Sequence, residues 1–568
     1  MSRLASFLFL PGVFLCTHLM AQEAQPASSE TTKKSTVEGQ VFNLVTKEAV
    51  KRAEVQMFRT GKGSAGMAAA MQAAYSATTD AEGKFKIENV EPGEYRINYR
   101  KAGFLGSGRG GFGMSAPASS AVTVKSGETH SGLKYYLTPQ GILAGRVIDD
   151  EGEPVQGAMV MLMRWTNSRG VKSLTARGRD TTNDRGEYRI SDVPPGRYFI
   201  QVNWNRGTAA PQEVGGVRMA YVATLYPNAS DPAQATRIQV TAGLELGGQD
   251  ITMRREKVVK VSGKLLEPDG SPAKNALVGF IATDTQIVMG WSMTPVDAKG
   301  GFKTDNVRPG NYNVIATRMD GSIGRQSAQS IQVGDTDIDN VTLQLQPPME
   351  ASGTITVEAA QAGSGKTEVE FTQCWINAEG AGSGPLGGGY GQVTKDGTFK
   401  LEGLMPGRLV VNAQCGAGES YVKSILVGDE DVLGKEVDAG AVAAAGVKVI
   451  LRTDTASVSG TLDVPEEKRD PTKQPRIVLI PADARLRRAG VIEYPQLDQN
   501  YQFNGKTVRP GEYLAYAFAE ADNSSFDDPE FYRLIESKGV KVKLGPGESQ
   551  TVDLKLTAWP AEFADRLQ

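Results

Sequence analysis

The sequence predicts an all-β protein made of five tandem antiparallel β-sandwiches that follow a signal peptide. Three observations predict it. A Pro-Gly corner recurs five times with an aromatic residue seven positions before its Pro: Phe85 before Pro92, Tyr188 before Pro195, Phe302 before Pro309, Phe399 before Pro406 and Phe503 before Pro510. An apolar-x-Gly-x-apolar opening stands upstream of each corner, at Gly39, Gly145, Gly263, Gly353 and Gly460, at distances of 53, 50, 46, 53 and 50 residues from the Pro. Between these markers apolar residues alternate with a period of two, the signature of half-buried strands, and a helical period appears only over 67–74.

The elements follow in order. Residues 22–36 read as a polar, flexible leader. Each unit then has its opening strand and a second strand, clearest from Pro154 to Leu162. A turn before the aromatic comes next, at Asp80 to Gly83, Asn183 to Gly186, Asp297 to Gly300 and Lys395 to Gly397. The acids of these turns lack the alternating ligands and terminal glutamate of a calcium loop, so turn chemistry accounts for them. At the corner, Pro fixes φ and Gly accepts the conformation that follows. The third residue after each Pro is Tyr95, Tyr198, Tyr312, Leu409 or Tyr513, and Tyr198, Ile200, Val202 and Trp204 continue in one phase. Two closing strands complete the unit, as at Ile331 to Val333 and Asn340 to Leu345. The predicted division is 1–21 signal peptide, 22–36 leader, sandwiches at 37–140, 141–256, 257–347, 348–453 and 454–558, and a tail at 559–568.

Composition agrees. A chain of 568 residues exceeds one core. With 65 Gly, 28 Pro and 40% hydrophobic residues it suits short strands joined by many turns. A formal net charge of −3 offers no basic stripe for nucleic acid and no polybasic membrane patch. The apolar run Leu8 to Met20 after Arg3, with a cleavage point near Ala21, reads as a secretory signal too short to span a bilayer. Bulky Phe14 and Leu15 before Cys16 speak against a lipid anchor. No later stretch is apolar enough to span, so the expected location is exported: periplasmic, outer-surface or secreted. The mature chain keeps Cys374, Cys415 and one histidine, His130. Zinc sites and His-activated nucleophiles therefore lose most of their parts, and no catalytic residue, metal or cofactor is expected.

The openings, the Pro-x-x-Gly-Ala-x-Val of Pro154 to Val160, the Asp-x-x-Gly-x-Phe/Tyr turns and the Val-x-Pro-Gly-x-Tyr corners resemble the carboxypeptidase regulatory-like domain. The resemblance spans roughly 37–557. It weakens in the fifth unit, where Asp498 to Tyr501 replaces the glycine turn. It implies a transthyretin-like sandwich, a non-catalytic role, membership of the carbohydrate-binding-like folds and occurrence in exported bacterial proteins. Related surface B-repeats cross-link Lys to Asn, but no Lys recurs on these opening strands.

Several constellations bear on chemistry. Ala360 to Thr367 fits a relaxed phosphate-loop pattern, but a strand-like sequence follows where a helix is required, so a hairpin loop is expected. Cys374 and Cys415 leave two readings open, a disulfide permitted by export or two inert core thiols. Tryptophans are the natural sugar platforms: Trp204 and Trp375 keep core phase, whereas Trp165 and Trp291 fall where exposure is expected and are the ligand-binding candidates. Gly-rich loops at Gly106 to Gly113 and Gly380 to Gly391 carry Phe112, Leu386 and Tyr390. The carboxylates Asp527, Asp528 and Glu530 are the parts an enzyme would use, in what reads as a solvated insertion. The expected function is a non-catalytic exported rod or chain of binding and spacing modules. Carbohydrate is the first ligand class, a partner surface protein the second, and the accessory region of a secreted hydrolase the rival.

Overall fold

The computed structural model describes residues 33–563, except 61–73, 106–119, 169–170, 205–210, 284–292, 319–325, 347–348, 359–368, 381–388, 405–406, 416–419, 466–468, 470–474, 499 and 527. The first repeat shows the plan. Its strands are β1 (Ser35–Asn43), β2 (Glu54–Thr60), β3 (Tyr75–Thr78), β4 (Lys84–Val90), β5 (Gly93–Arg100), β6 (Ser120–Val124) and β7 (Thr129–Leu137). They form two sheets, β4-β1-β7 and β3-β2-β5-β6, facing each other over Val37, Val41, Val55, Met57, Phe85, Ile87, Tyr95 and Ile97. The Pro-Gly corner therefore carries the chain from one sheet to the other. The acid turn does the same between β3 and β4, which lie in different sheets.

The sandwich is not wholly antiparallel. β1 pairs antiparallel with β4 but parallel with β7. The same mixed pairing of opening, aromatic and closing strands returns in the sheets of 141–252, 259–344, 349–452 and 456–555.

Register explains the two sequence markers together. The opening glycine stands directly opposite the corner aromatic each time: Gly39 with Phe85, Gly145 with Tyr188, Gly263 with Phe302, Gly353 with Phe399 and Gly460 with Phe503. Each glycine has the inward phase of its apolar neighbours. A Cβ on Gly39, Gly263 or Gly460 would lie 2.7, 2.7 or 2.8 Å from the ring opposite. The missing side chain leaves the space in which the ring lies flat in the core.

Hydrogen bonds complete the frame. The hydroxyls of Tyr95, Tyr198 and Tyr513 donate to the carbonyls of Glu91, Pro194 and Arg509, the residues just before the corner Pro, at 2.9, 2.9 and 2.7 Å. Buried Thr79 and Thr182 make matching clasps. Each hydroxyl donates to a carbonyl, of Val50 or Val155, at 2.6 Å and accepts an amide, of Ala53 or Ala158, at 2.8 Å.

Three features depart from expectation. In the fourth repeat the two sheets are joined through the pair Tyr390–Glu402 into one nine-stranded sheet. In the fifth, the insertion expected as a solvated loop folds as a helix, Pro529–Ile535, and part of the expected tail packs with it. Phe518, Phe526, Phe531 and Phe563 are buried, and Trp559 lies 4.5 Å from the Phe531 ring. An extended rod is also not what the ends describe, because Lys506 of the fifth repeat pairs with Glu94 of the first. The helix expected at 67–74 lies almost wholly outside the described residues.

Candidate functional site

In the fourth repeat the strand Cys374–Gly380 runs between Gly389–Gln392 and Arg408–Cys415. Cys374, Ile376 and Ala378 are buried at 2%, 0% and 0% exposure, so Trp375, Asn377 and Glu379 take the opposite, outward face. Trp375 was expected in core phase, and the structure reverses that. Phe371–Gln373 is a turn of 3-10 helix, which breaks the alternation that led from Phe371 to Trp375.

The neighbouring glycine segment, expected as loop, is a strand over Gly389–Gln392. Gly389 and Gly391 face inward, where a Cβ on Gly391 would lie 2.8 Å from the Lys400 carbonyl. Alternation turns Tyr390 and Gln392 outward, and Tyr390 is 58% exposed. Asn377 is paired with Tyr390 on one side and Asn412 on the other; Trp375 is paired with Gln392 and Gln414. Residues directly opposite in antiparallel strands share a face, so two aromatic rings and four side-chain amides stand together. The Asn377 amide donates to Glu379 Oε1 at 2.6 Å, while its Oδ1 has no hydrogen-bond partner among the described residues. At one end of this face the sulfurs of Cys374 and Cys415 are bonded, between residues directly opposite each other.

The other predicted residues are dispersed. Trp165 lies within the strand Met159–Ser168, not beyond its end. It meets the Phe199 ring edge to face at 6.3 Å and packs against Met161, Met163 and Leu174, so its exposure is only partial. Trp291 and the phosphate-loop-like segment 360–367 lie outside the described residues. Asp528 is buried and caps the helix Pro529–Ile535 by accepting the Glu530 amide at 2.9 Å, and Asp527 lies outside the described residues. The turn acids accept backbone amides: Asp297 takes those of Lys299 and Gly301 at 2.7 and 2.8 Å, and these bonds hold its carboxyl below the usual range. His130 Nε2 accepts the Lys125 amide at 3.1 Å. Among the described residues no three His, Cys, Asp or Glu side chains are grouped to hold a metal, and no helix is long and apolar enough to cross a membrane.

Two further places carry unusual polarity. A cleft of about 1110 Å³ between the first and fifth repeats is lined by Thr123, His130, Thr461, Gln502, Asn504 and others. Its aromatic residues, Tyr95 and Phe503, are buried at 1% and 2% exposure and offer no ring face. Burial pushes the Glu493 carboxyl up to about 7 in the fifth repeat, beside the buried Tyr513.

Comparison with known proteins agrees with the sequence features. The family model of the carboxypeptidase regulatory-like domain matches residues 36–130 and 142–253. No curated protein matches the chain. Among solved structures, the Bacillus anthracis TIE protein is similar at 14% identity over 55% of this chain and 51% of that one, with a TM-score of 0.16. The chain thus matches about half the length of that protein. The minor pilin of Streptococcus agalactiae is similar at 15% identity over 39% of this chain and 96% of the pilin, with a TM-score of 0.21. Two B repeat units of the Staphylococcus aureus collagen-binding protein are similar at 10% identity over 74% and 100%, with a TM-score of 0.13. The glycine–aromatic register and the clasping threonines thus recur in the two segments, residues 36–130 and 142–253, that the model of the carboxypeptidase regulatory-like domain matches.

Proposed function

We propose that the protein is a non-catalytic, exported, multi-module binding and spacing protein, built of five modules that meet near 140, 256, 347 and 453. The observation that carries this reading is where the repeated residues go. The opening glycine, the corner aromatic, the corner tyrosine and the clasping threonine are all used in packing or in holding backbone. What varies between repeats lies outside this frame: a hairpin at Gln212–Val214 and Val217–Tyr221 in the second, an aromatic face in the fourth, an added helix with its own small core in the fifth. Function placed on variable surfaces of a constant frame is the pattern of a binding scaffold. Surface-exposed placement on a cell is consistent with the pilin and collagen-binding names among the similar structures, and carbohydrate is the first ligand class.

A partner protein is the second reading, favoured by the tip of the second repeat's hairpin. There Val214 and Val217 are 56% and 38% exposed around Gly215-Gly216. The experiment is to screen the mature chain on a glycan array and against peptide and glycoside substrates in parallel. Retention of a glycan without turnover is the expected outcome, and metal-dependent turnover of any substrate would overturn the non-enzyme reading. Trp165 and Trp291 remain the sequence-derived platforms for such a glycan. Trp291→Ala should weaken binding without unfolding, whereas Trp165→Ala should also loosen the packing against Phe199.

A further inference from the structure

We propose that the outward face of the fourth repeat binds an uncharged oligosaccharide, with Trp375 and Tyr390 as ring platforms and Asn377, Gln392, Asn412 and Gln414 as its hydrogen-bonding groups. The inference rests on the carbohydrate reading above and gives it a place. A pyranose ring presents an apolar face of C–H groups and a rim of hydroxyls that both donate and accept. Aromatic rings match the first surface, and primary amides, carrying donor and acceptor in one plane, match the second. The register brings both kinds of group together: Tyr390 and Trp375 stand diagonally on adjacent strands, and each has amides as cross-strand neighbours.

Strand spacing sets the scale. Adjacent strands lie about 4.8 Å apart and alternate residues about 7 Å apart, so neighbouring groups on the face are separated by roughly the width of one sugar ring. Charge points the same way: the six groups are neutral, and the acids beside them are Glu379, which accepts from Asn377, and Glu402, which is paired with Tyr390, so an uncharged chain suits the face better than a polyanion. The frame beneath is rigid. Gly389 and Gly391 let the tyrosine strand sit close on its neighbours, and the Cys374–Cys415 bond ties the two strands that carry Trp375 and Gln414. Such a shallow face binds an extended chain weakly and along several rings, in contrast to an enclosed pocket.

The test is to titrate the full mature chain with soluble neutral hexasaccharides of β-1,4-glucan, β-1,3-glucan, β-1,4-mannan and β-1,4-xylan, followed by calorimetry and tryptophan fluorescence. At least one is expected to bind. Tyr390→Ala should weaken it about ten-fold or more with an unchanged melting temperature, since that ring is mostly in solvent. Gln392→Ala should weaken it several-fold, and Trp375→Phe should keep more affinity than Tyr390→Ala. Binding undiminished by both Tyr390→Ala and Gln392→Ala would remove this face while leaving the carbohydrate reading standing. Failure of every hexasaccharide to bind would remove this face, and retention of no glycan on the array would remove the carbohydrate reading with it.

Discussion

At Gly263 an added methyl group would meet the Phe302 ring at 2.7 Å and the Val341 carbonyl closer still, on a strand paired on both sides. At such distances something must shift, so Gly263→Ala forces the ring or the closing strand outward. Overpacking of this kind costs about 1–3 kcal/mol. Hydrogen exchange on the full chain should show lost protection across 257–347 with the other repeats unchanged, and unchanged protection there would refute the contact's importance. The partners in this contact were legible in the sequence because both recur at fixed offsets. Their pairing was not, because register across a sheet leaves no mark on either strand alone. Thr79 and Thr182 were missed for a similar reason: a threonine reads as an ordinary strand residue, and only burial at 3% exposure shows that its hydroxyl holds backbone.

The acid turn shows what a short element demands and what it tolerates. Its fourth position is Gly83, Gly186, Gly300 and Gly397 in the first four repeats, with φ of 72°, 73°, 73° and 81°. In the fifth, Tyr501 adopts φ of 61° at the same place, while Asp498 still accepts the Asn500 and Gln502 amides at 2.8 Å. The sequence read this as a weakened repeat. The structure keeps the turn and stacks the Arg469 guanidinium 4.7 Å from the Tyr501 ring, an interaction that offsets the left-handed backbone. The aromatic face was hidden by an element of the same size, the single 3-10 turn before Cys374, which shifts the phase of everything after it. The disulfide beyond it closes a separation of 41 residues. Removing it by Cys374→Ser with Cys415→Ser should cost the fourth repeat about 2–4 kcal/mol. Calorimetry with and without reductant would read that loss in wild type, and a double variant that melts like oxidised wild type would contradict it.

Over the whole molecule, the repeats meet through polar contacts that the sequence shows only as scattered charges. Arg218 of the second repeat's hairpin pairs with Asp337 of the third at 2.7 Å, and Arg308 before the third corner pairs with Glu256 at 3.2 Å. At the joint of the fourth and fifth repeats, the strand bulges between Val422 and Ser424, and Arg509 donates to the Val422 and Lys423 carbonyls at 2.5 and 3.1 Å. Leu486 of the fifth repeat packs on the core of the fourth beside this contact. The Tyr513 hydroxyl donates to the Arg509 carbonyl, and Glu493 acts electrostatically on Tyr513, so the titration of Glu493 bears on the repeat that makes the joint. Its carboxyl is raised from 4.5 to about 7 by burial. The folded state therefore holds a proton that the unfolded chain gives up. The stabilisation is complete below pH 4.5 and is lost as pH rises through about 7. Carboxyls such as Asp297 and Asp337, lowered by amide and arginine contacts, act in the opposite sense, but only below the ordinary Asp range, so they leave the interval from pH 5 to 8 to Glu493. Denaturant unfolding of the fifth repeat should show stability falling between pH 5 and 8. Glu493→Gln should abolish most of that slope and raise stability at pH 8 by about 2–3 kcal/mol, the scale of a shift of this size reduced by the carboxyl's partial exposure. Identical pH profiles for wild type and Glu493→Gln would show that the carboxyl is hydrated in solution and that the joint is indifferent to it.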